Sequence, residues 1–254
     1  MSLLQPLPAA INQADKQYLT YTFNAYLPTV YKTLKQKTKL KFPNDDIPSY
    51  TPLASGEGSD AEKTGSSLTY GPFGELPAGS SETITVRYDF TRPVPYATLL
   101  ERDLEISHWG GNIATEERYW LTNRGAELKQ QFSRVEWQRQ AYYRPASSAM
   151  EWITMPLKAG STDPYFTDDI GNVSTSRFRN SDANLEIRPR YPIFGAWNYK
   201  FRIGWNGNLK SALRKAASGD GYVLNVPFLE GPKQPEGIQY ETVQVRVILP
   251  EGAT

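Results

Sequence analysis

The 254-residue chain has no cysteine, which excludes disulfide staples, thiolate nucleophiles and cysteine metal sites. Cysteine-free domains occur in oxidising and reducing compartments alike, so the compartment stays open. Histidine is nearly absent: His108 is the single imidazole, which removes His-Glu-x-x-His zinc chemistry. No run approaches the ~20 apolar residues of a membrane span, and no basic-then-apolar leader opens the chain, so the sequence as it stands is expected to be soluble. An excess of one charge is missing too. With 28 lysines and arginines against 27 acids, no global field draws in nucleic acid. The glycines do not follow a strand and open a helix at the spacing of a phosphate or dinucleotide cradle, so nucleotide cofactors are not expected.

What the chain has is aromatic side chains, 16 Tyr, 10 Phe and 6 Trp, with 19 prolines and 19 glycines, a composition suited to short strands and turns. In Trp197–Trp205, residues Trp197, Tyr199, Phe201, Ile203 and Trp205 alternate with Asn198, Lys200 and Arg202, which places one bulky aromatic wall on a single sheet face. That wall needs a second layer. Similar alternation predicts strands over 17–25, 37–42, 82–90, 99–108, 113–122, 132–137, 150–157, 185–188, 222–229 and 241–249. Gly110-Gly111-Asn112 predicts a hairpin turn. Only 208–217 reads as helix, with Asn208 as cap and Leu209, Ala212, Leu213 and Ala216 on one face. Residues 54–67, rich in Gly, Ser, Asp and Glu, are expected to form a mobile loop. The break Thr91-Arg92-Pro93-Val94-Pro95 divides the chain into a first β-domain, 1–95, and a second, 96–254.

Few groups can do chemistry. Lys37, Lys39 and Lys41 share the outer face of one strand, a stripe that invites a phosphate or acidic-lipid reading, but without a glycine cradle or interleaved aromatics they read as a solvated, charged edge. Glu101, Asp103 and Glu105 line one strand face in the manner of an exposed antiparallel sheet. Ser107 and His108 are adjacent and so point to opposite faces, which makes a poor nucleophile and base. Asp168-Asp169 before Ile170-Gly171-Asn172 invites a divalent-metal site, but adjacent acids at that place read as ordinary turn chemistry. For an enzyme reading, a glycosidase or a peptidase, the candidates are Asp168, Asp169, Glu116, Glu117 and His108, and two of the carboxylates would have to converge within ~5–10 Å. Asn172-Val173-Ser174 is an N-glycosylation sequon, making Asn172 a candidate acceptor. The aromatic excess also admits a carbohydrate- or peptide-binding sandwich, if tryptophans gather exposed in one groove.

Several motifs, in order along the chain, resemble the luminal region of the ribophorin I family: Tyr70 to Ala78, Glu105 to Glu117, Phe132 to Arg139, Asp168 to Ser176, Leu185 to Trp197 and Val245 to Ala253. The resemblance runs from about Tyr18 to Ala253 and is weakest over 55–67 and 206–235. It implies tandem antiparallel β-sandwich domains similar to the non-catalytic β-domains of the aminopeptidase N type. It further implies the luminal portion of an accessory subunit of the oligosaccharyltransferase, on the lumenal side of the endoplasmic reticulum, whose full-length form crosses the membrane once. Catalysis in that family is assigned to a different subunit, so no catalytic, metal or cofactor residues are expected. The implied partners are the other subunits, including the catalytic one, and nascent polypeptides; contact with the membrane would come only through a spanning segment that this sequence lacks.

Overall fold

The computed structural model describes residues 8–52, 61–143, 146–179, 181–217, 219 and 221–253. The protein is all-β and divides into two compact units: Met1–Thr91 with Ala126–Ser148, and Arg92–Gly125 with Ala149–Thr254.

In the first unit, strands β1 (Tyr18–Asn24), β2 (Gln36–Lys41), β3 (Ser49–Tyr50), β4 (Glu62–Thr64), β5 (Ser67–Phe73) and β6 (Thr83–Asp89) form two three-stranded sheets, ordered β1-β6-β3 and β2-β5-β4. Alternation sets which side chains go inside. Leu68 and Tyr70 of one sheet and Ile84 and Val86 of the other are fully buried in one core with Ala25, Tyr26, Phe42 and Ile47. The expected loop over 54–67 is corrected in part: Glu62–Thr64 pairs with β5, and residues 53–60 lie outside the described residues. The expected strand over 132–137 is also corrected, because Arg134–Gln140 is a helix, α1. Ser133 caps it by accepting from the Glu136 amide, and Ser133-x-x-Glu136 is the spacing of a capping box.

The second unit continues with β7 (Pro95–Ser107), β8 (Asn112–Asn123), β9 (Ile153–Pro156), β10 (Thr162–Asp168), β11 (Gly171–Asn172), β12 (Arg177–Arg179), β13 (Asn184–Ile187), β14 (Asn198–Asn208), β15 (Leu213–Lys215), β16 (Tyr222–Leu224) and β17 (Gln239–Ile248). A six-stranded sheet, β11-β10-β14-β8-β7-β17, holds β14 near its centre. Its aromatic wall is buried as the alternation requires, with Tyr119 stacked on Phe201 at 4.8 Å and Phe166 edge-on to Phe201 at 5.7 Å. The second layer is β12-β13-β9, which contributes Ile153, Met155, Leu185 and Ile187 to the same core. Each such side chain stabilises the fold by roughly 1.5–3 kcal/mol relative to exposure. The pairing is antiparallel except at one edge, where β17 runs parallel to β7; the long connection after Leu224 gives the chain length to return in that direction.

The helix expected over 208–217 does not form. Asn208 does cap a turn, its side chain accepting from the Lys210 amide, but the turn is a single 3₁₀ turn at Leu209–Ser211. Leu213–Lys215 then pairs with Tyr222–Leu224, setting Leu213 opposite Leu224. A ten-residue helix is marginal alone, whereas this hairpin lays Leu213 and Leu224 against buried Leu104, Ile106, Ile113 and Leu209. The strand expected over 222–229 stops at Leu224.

Candidate functional site

The sequon begins at Asn172, the last residue of β11, in the hairpin that β10 and β11 form. Asp168 ends β10, and one of its carboxylate oxygens accepts from the backbone amides of Ile170 (3.0 Å) and Gly171 (3.1 Å), closing the turn. The other accepts from Arg190 Nε at 2.6 Å and from the Tyr199 hydroxyl at 3.1 Å. Gly171 takes φ +136°, a conformation that side chains disfavour. Arg190 also donates to the carbonyls of Gly171 and Asn172, at 3.2 and 2.9 Å, so one guanidinium clamps the hairpin. Burial pushes the Asp168 carboxyl up, but the bonds from Arg190, Ile170, Tyr199 and Gly171 together hold it below the usual carboxylate value. Within the sequon, Asn172 and Ser174 are exposed while Val173 is buried in the core.

Asp168 and Asp169 are part of an open groove of about 370 Å³, lined also by Arg118, Trp120, Lys200 and Arg202. Asp168 is almost wholly committed to its four donors, and Asp169 is exposed. Glu116 and Glu117, neighbours on β8, face opposite sides of the sheet. Glu116 belongs to a surface lattice: Arg118 reaches it at 2.7 Å and Arg202 at 3.5 Å, and the Tyr165 hydroxyl donates to it. Arg118 also lies near Glu101 and Asp103, and Arg246 grips Asp103 through two bonds of 2.6 and 2.7 Å. Glu101 and Asp103 of the acidic stripe of β7 are therefore matched by arginines on β8 and β17. The Tyr165 ring lies over Gly204, where a Cβ would meet it at 2.4 Å.

Glu117 is fully buried, bonded to Arg102 at 2.6 Å and accepting from Tyr119 at 2.6 Å; Arg102 reaches Glu230 at 2.6 Å as well. Burial pushes the Glu117 carboxyl up, against the pull of Arg102 and Tyr119. Sequence reasoning passed over this buried charge cluster, yet the signal was present. The turn sets Ser107 opposite Asn112, so counting outward sets Arg102 opposite Glu117, both in the inward register. His108 is exposed at the hairpin tip, 5.5 Å from Trp109 between ring centres. The candidate acids and the imidazole thus occupy a clamped turn, a surface lattice, the interior and a hairpin tip. Among the described residues no group of three or more His, Asp or Glu is placed to hold a metal ion, and no helix is long and apolar enough to cross a membrane. The tryptophans do not line one groove: Trp109, 91% exposed, caps a hairpin, and Trp152, 47% exposed, lies under Arg188.

Comparison with known proteins gives a consistent result. The profile of the Ribophorin I family matches residues 1–254. The chain is similar to dolichyl-diphosphooligosaccharide–protein glycosyltransferase subunit 1 of Caenorhabditis elegans, with 35% identity over 98% of this chain and 41% of that protein. The subunit 1 of Schizosaccharomyces pombe is 32% identical over 99% of the chain and 56% of its own length. Subunit 1B of Oryza sativa subsp. japonica is 33% identical over 99% and 51%. The chain thus spans about half the length of the curated relatives it matches. A solved Fcho1 mu homology domain of Danio rerio, with bound Eps15 peptide, aligns over 92% of this chain and 84% of that one at 11% identity and a TM-score of 0.28, too low to bear on fold or function.

Proposed function

Since the chain belongs to the ribophorin I family, we propose that it is a luminal, non-catalytic portion of an oligosaccharyltransferase subunit and works through its surfaces. The observation that carries this reading is the family match over the whole chain. The dispersal of the candidate acids supports its non-catalytic part: Glu117 is bound to Arg102 in the interior, Glu116 is bound to Arg118 on the surface, and His108 stands at a hairpin tip. In this reading the full-length protein resides in the endoplasmic reticulum with this portion on the lumenal side. Its partners are the other subunits, the catalytic one among them, and nascent chains passing the catalytic centre.

The test has two arms. Full-length protein, tagged and isolated from microsomes, is expected to bring down the catalytic subunit and glycosyl-transfer activity. The 254-residue chain alone, given a lipid-linked oligosaccharide and an acceptor peptide, is expected to transfer nothing. Transfer by the isolated chain would overturn the non-catalytic reading, and absence of the catalytic subunit from the isolate would overturn membership of the complex.

A further inference from the structure

The connection after β1 and the strand that follows it carry a second feature that the assignment above does not use. Between Leu27 and Lys41 there are five lysines (Lys32, Lys35, Lys37, Lys39, Lys41) and no acid. The whole chain is +1, so this stretch at +5 leaves the remainder at 1 − 5 = −4. Lys35, Lys37, Lys39 and Lys41 are exposed and, among the described residues, their ammonium groups have no hydrogen bond or ion pair, whereas Lys32 is bridged to Glu75. On β2, Lys37, Lys39 and Lys41 project from one face of an edge strand at intervals of about 7 Å. Next to them, Leu27 (68% exposed), Val30 (82%), Tyr31 (76%) and Leu34 (69%) present their side chains to solvent.

This exposure is built into the fold rather than due to fraying. Thr33 exchanges both backbone bonds with Leu76, at 2.9 and 2.8 Å, and the Gly79 amide donates to Thr29 at 2.9 Å. The Leu27 amide donates to the Gln36 side chain at 3.1 Å, and Gln36 in turn donates to the Ala25 carbonyl at 3.0 Å. A tethered loop therefore holds three aliphatic side chains and a tyrosine outward, just ahead in the chain of a row of unneutralised ammonium groups.

We propose that Leu27–Lys41 docks on an anionic bilayer surface, the loop entering the headgroup layer and the lysine stripe lying against lipid phosphates and carboxylates. The combination supplies the two signals, apolar insertion and basic charge, that interfacial attachment requires. Tyrosine with aliphatic neighbours suits the headgroup level. A bilayer interface deforms around separate projecting side chains, whereas a protein partner would need a pocket for each. That favours lipid over an acidic polypeptide.

The test uses co-sedimentation of the chain with phosphatidylcholine vesicles, with and without phosphatidylserine. Binding is expected only with phosphatidylserine and is expected to weaken as salt rises. The triple variant Lys37→Gln/Lys39→Gln/Lys41→Gln should weaken it on the order of a hundredfold. Leu27→Ser/Val30→Ser/Tyr31→Ser/Leu34→Ser should weaken it as well, with unchanged circular dichroism for both variants. Since the chain has no cysteine, Val30→Cys accepts a single environment-sensitive dye, whose emission should shift to the blue on vesicle binding. No sedimentation, binding indifferent to both variants, an unshifted dye, or binding to polyglutamate without binding to vesicles would each overturn the proposal.

Discussion

At the scale of single residues, the most consequential side chain is Arg102, which is 1% exposed and shared between Glu117 and Glu230. Removing one partner of a buried pair leaves an uncompensated charge inside, so Arg102→Ala is expected to cost about 3–5 kcal/mol in urea unfolding. Arg102→Met combined with Glu117→Gln should cost clearly less than the sum of the two single changes, because the double variant leaves no lone charge between them. Asp168 behaves in the opposite sense to Glu117. Its pKa is held below the ordinary aspartate value, so the stability it contributes is complete above that value and is lost as pH falls through the depressed one. Asp168→Asn should remove about 1.5–3 kcal/mol at neutral pH and flatten the acid limb of the stability profile, as read by melts across pH. Neither role could be read from residue type alone. Asp168 in a turn was legible, because an Asp-Asp pair ahead of Ile-Gly-Asn suits turn chemistry, but its bond to Arg190 joins positions 22 apart in sequence.

At the scale of elements, period-2 alternation was enough wherever a strand was long. The wall of β14 and the inward faces of β6, β7 and β8 are buried as their spacing requires. It failed where short segments satisfy two periods at once. Leu209, Ala212 and Leu213 fit a helical face, but strand pairing to β16 won; Val135 and Trp137 alternate, but Ser133 and Glu136 start a helix. Ser133→Ala is expected to cost about 1 kcal/mol and to loosen α1, measurable as faster amide exchange around Trp137. Parallel pairing of β17 with β7 was not legible, since alternation fixes which face is buried but not the direction or neighbour of a strand.

At the scale of the molecule, the family assignment was legible from collinear motifs, and the surface lattice was not, because it needs β7, β8, β14 and β17 side by side. Each unit has its own core, so denaturation is expected in two steps. Leu68→Ala should lower one step and Ile153→Ala the other, each by about 2–5 kcal/mol, in calorimetry. Asn172, exposed in the clamped hairpin, is expected to carry a glycan when the protein is made in a secretory host. Mass spectrometry of wild type against Asn172→Gln checks this, and an unmodified wild-type Asn172 would count against it.

The segment Ala126–Ser148 rejoins the first unit after the chain has left it at Thr91. Its ties reach back to the beginning of the described chain: the Ile11 amide donates to Glu127, the Lys129 amide to Ile11, Gln13 bonds Ser133 in both directions, and the Ala126 amide donates to Gln17. A polypeptide emerging N-terminus first thus cannot finish its leading half until residue 148 has appeared, by which time the long β7–β8 hairpin of the trailing half is already out. Translation order and assembly order are interleaved, and a ribosome stalled near residue 95 would display an unfinished body.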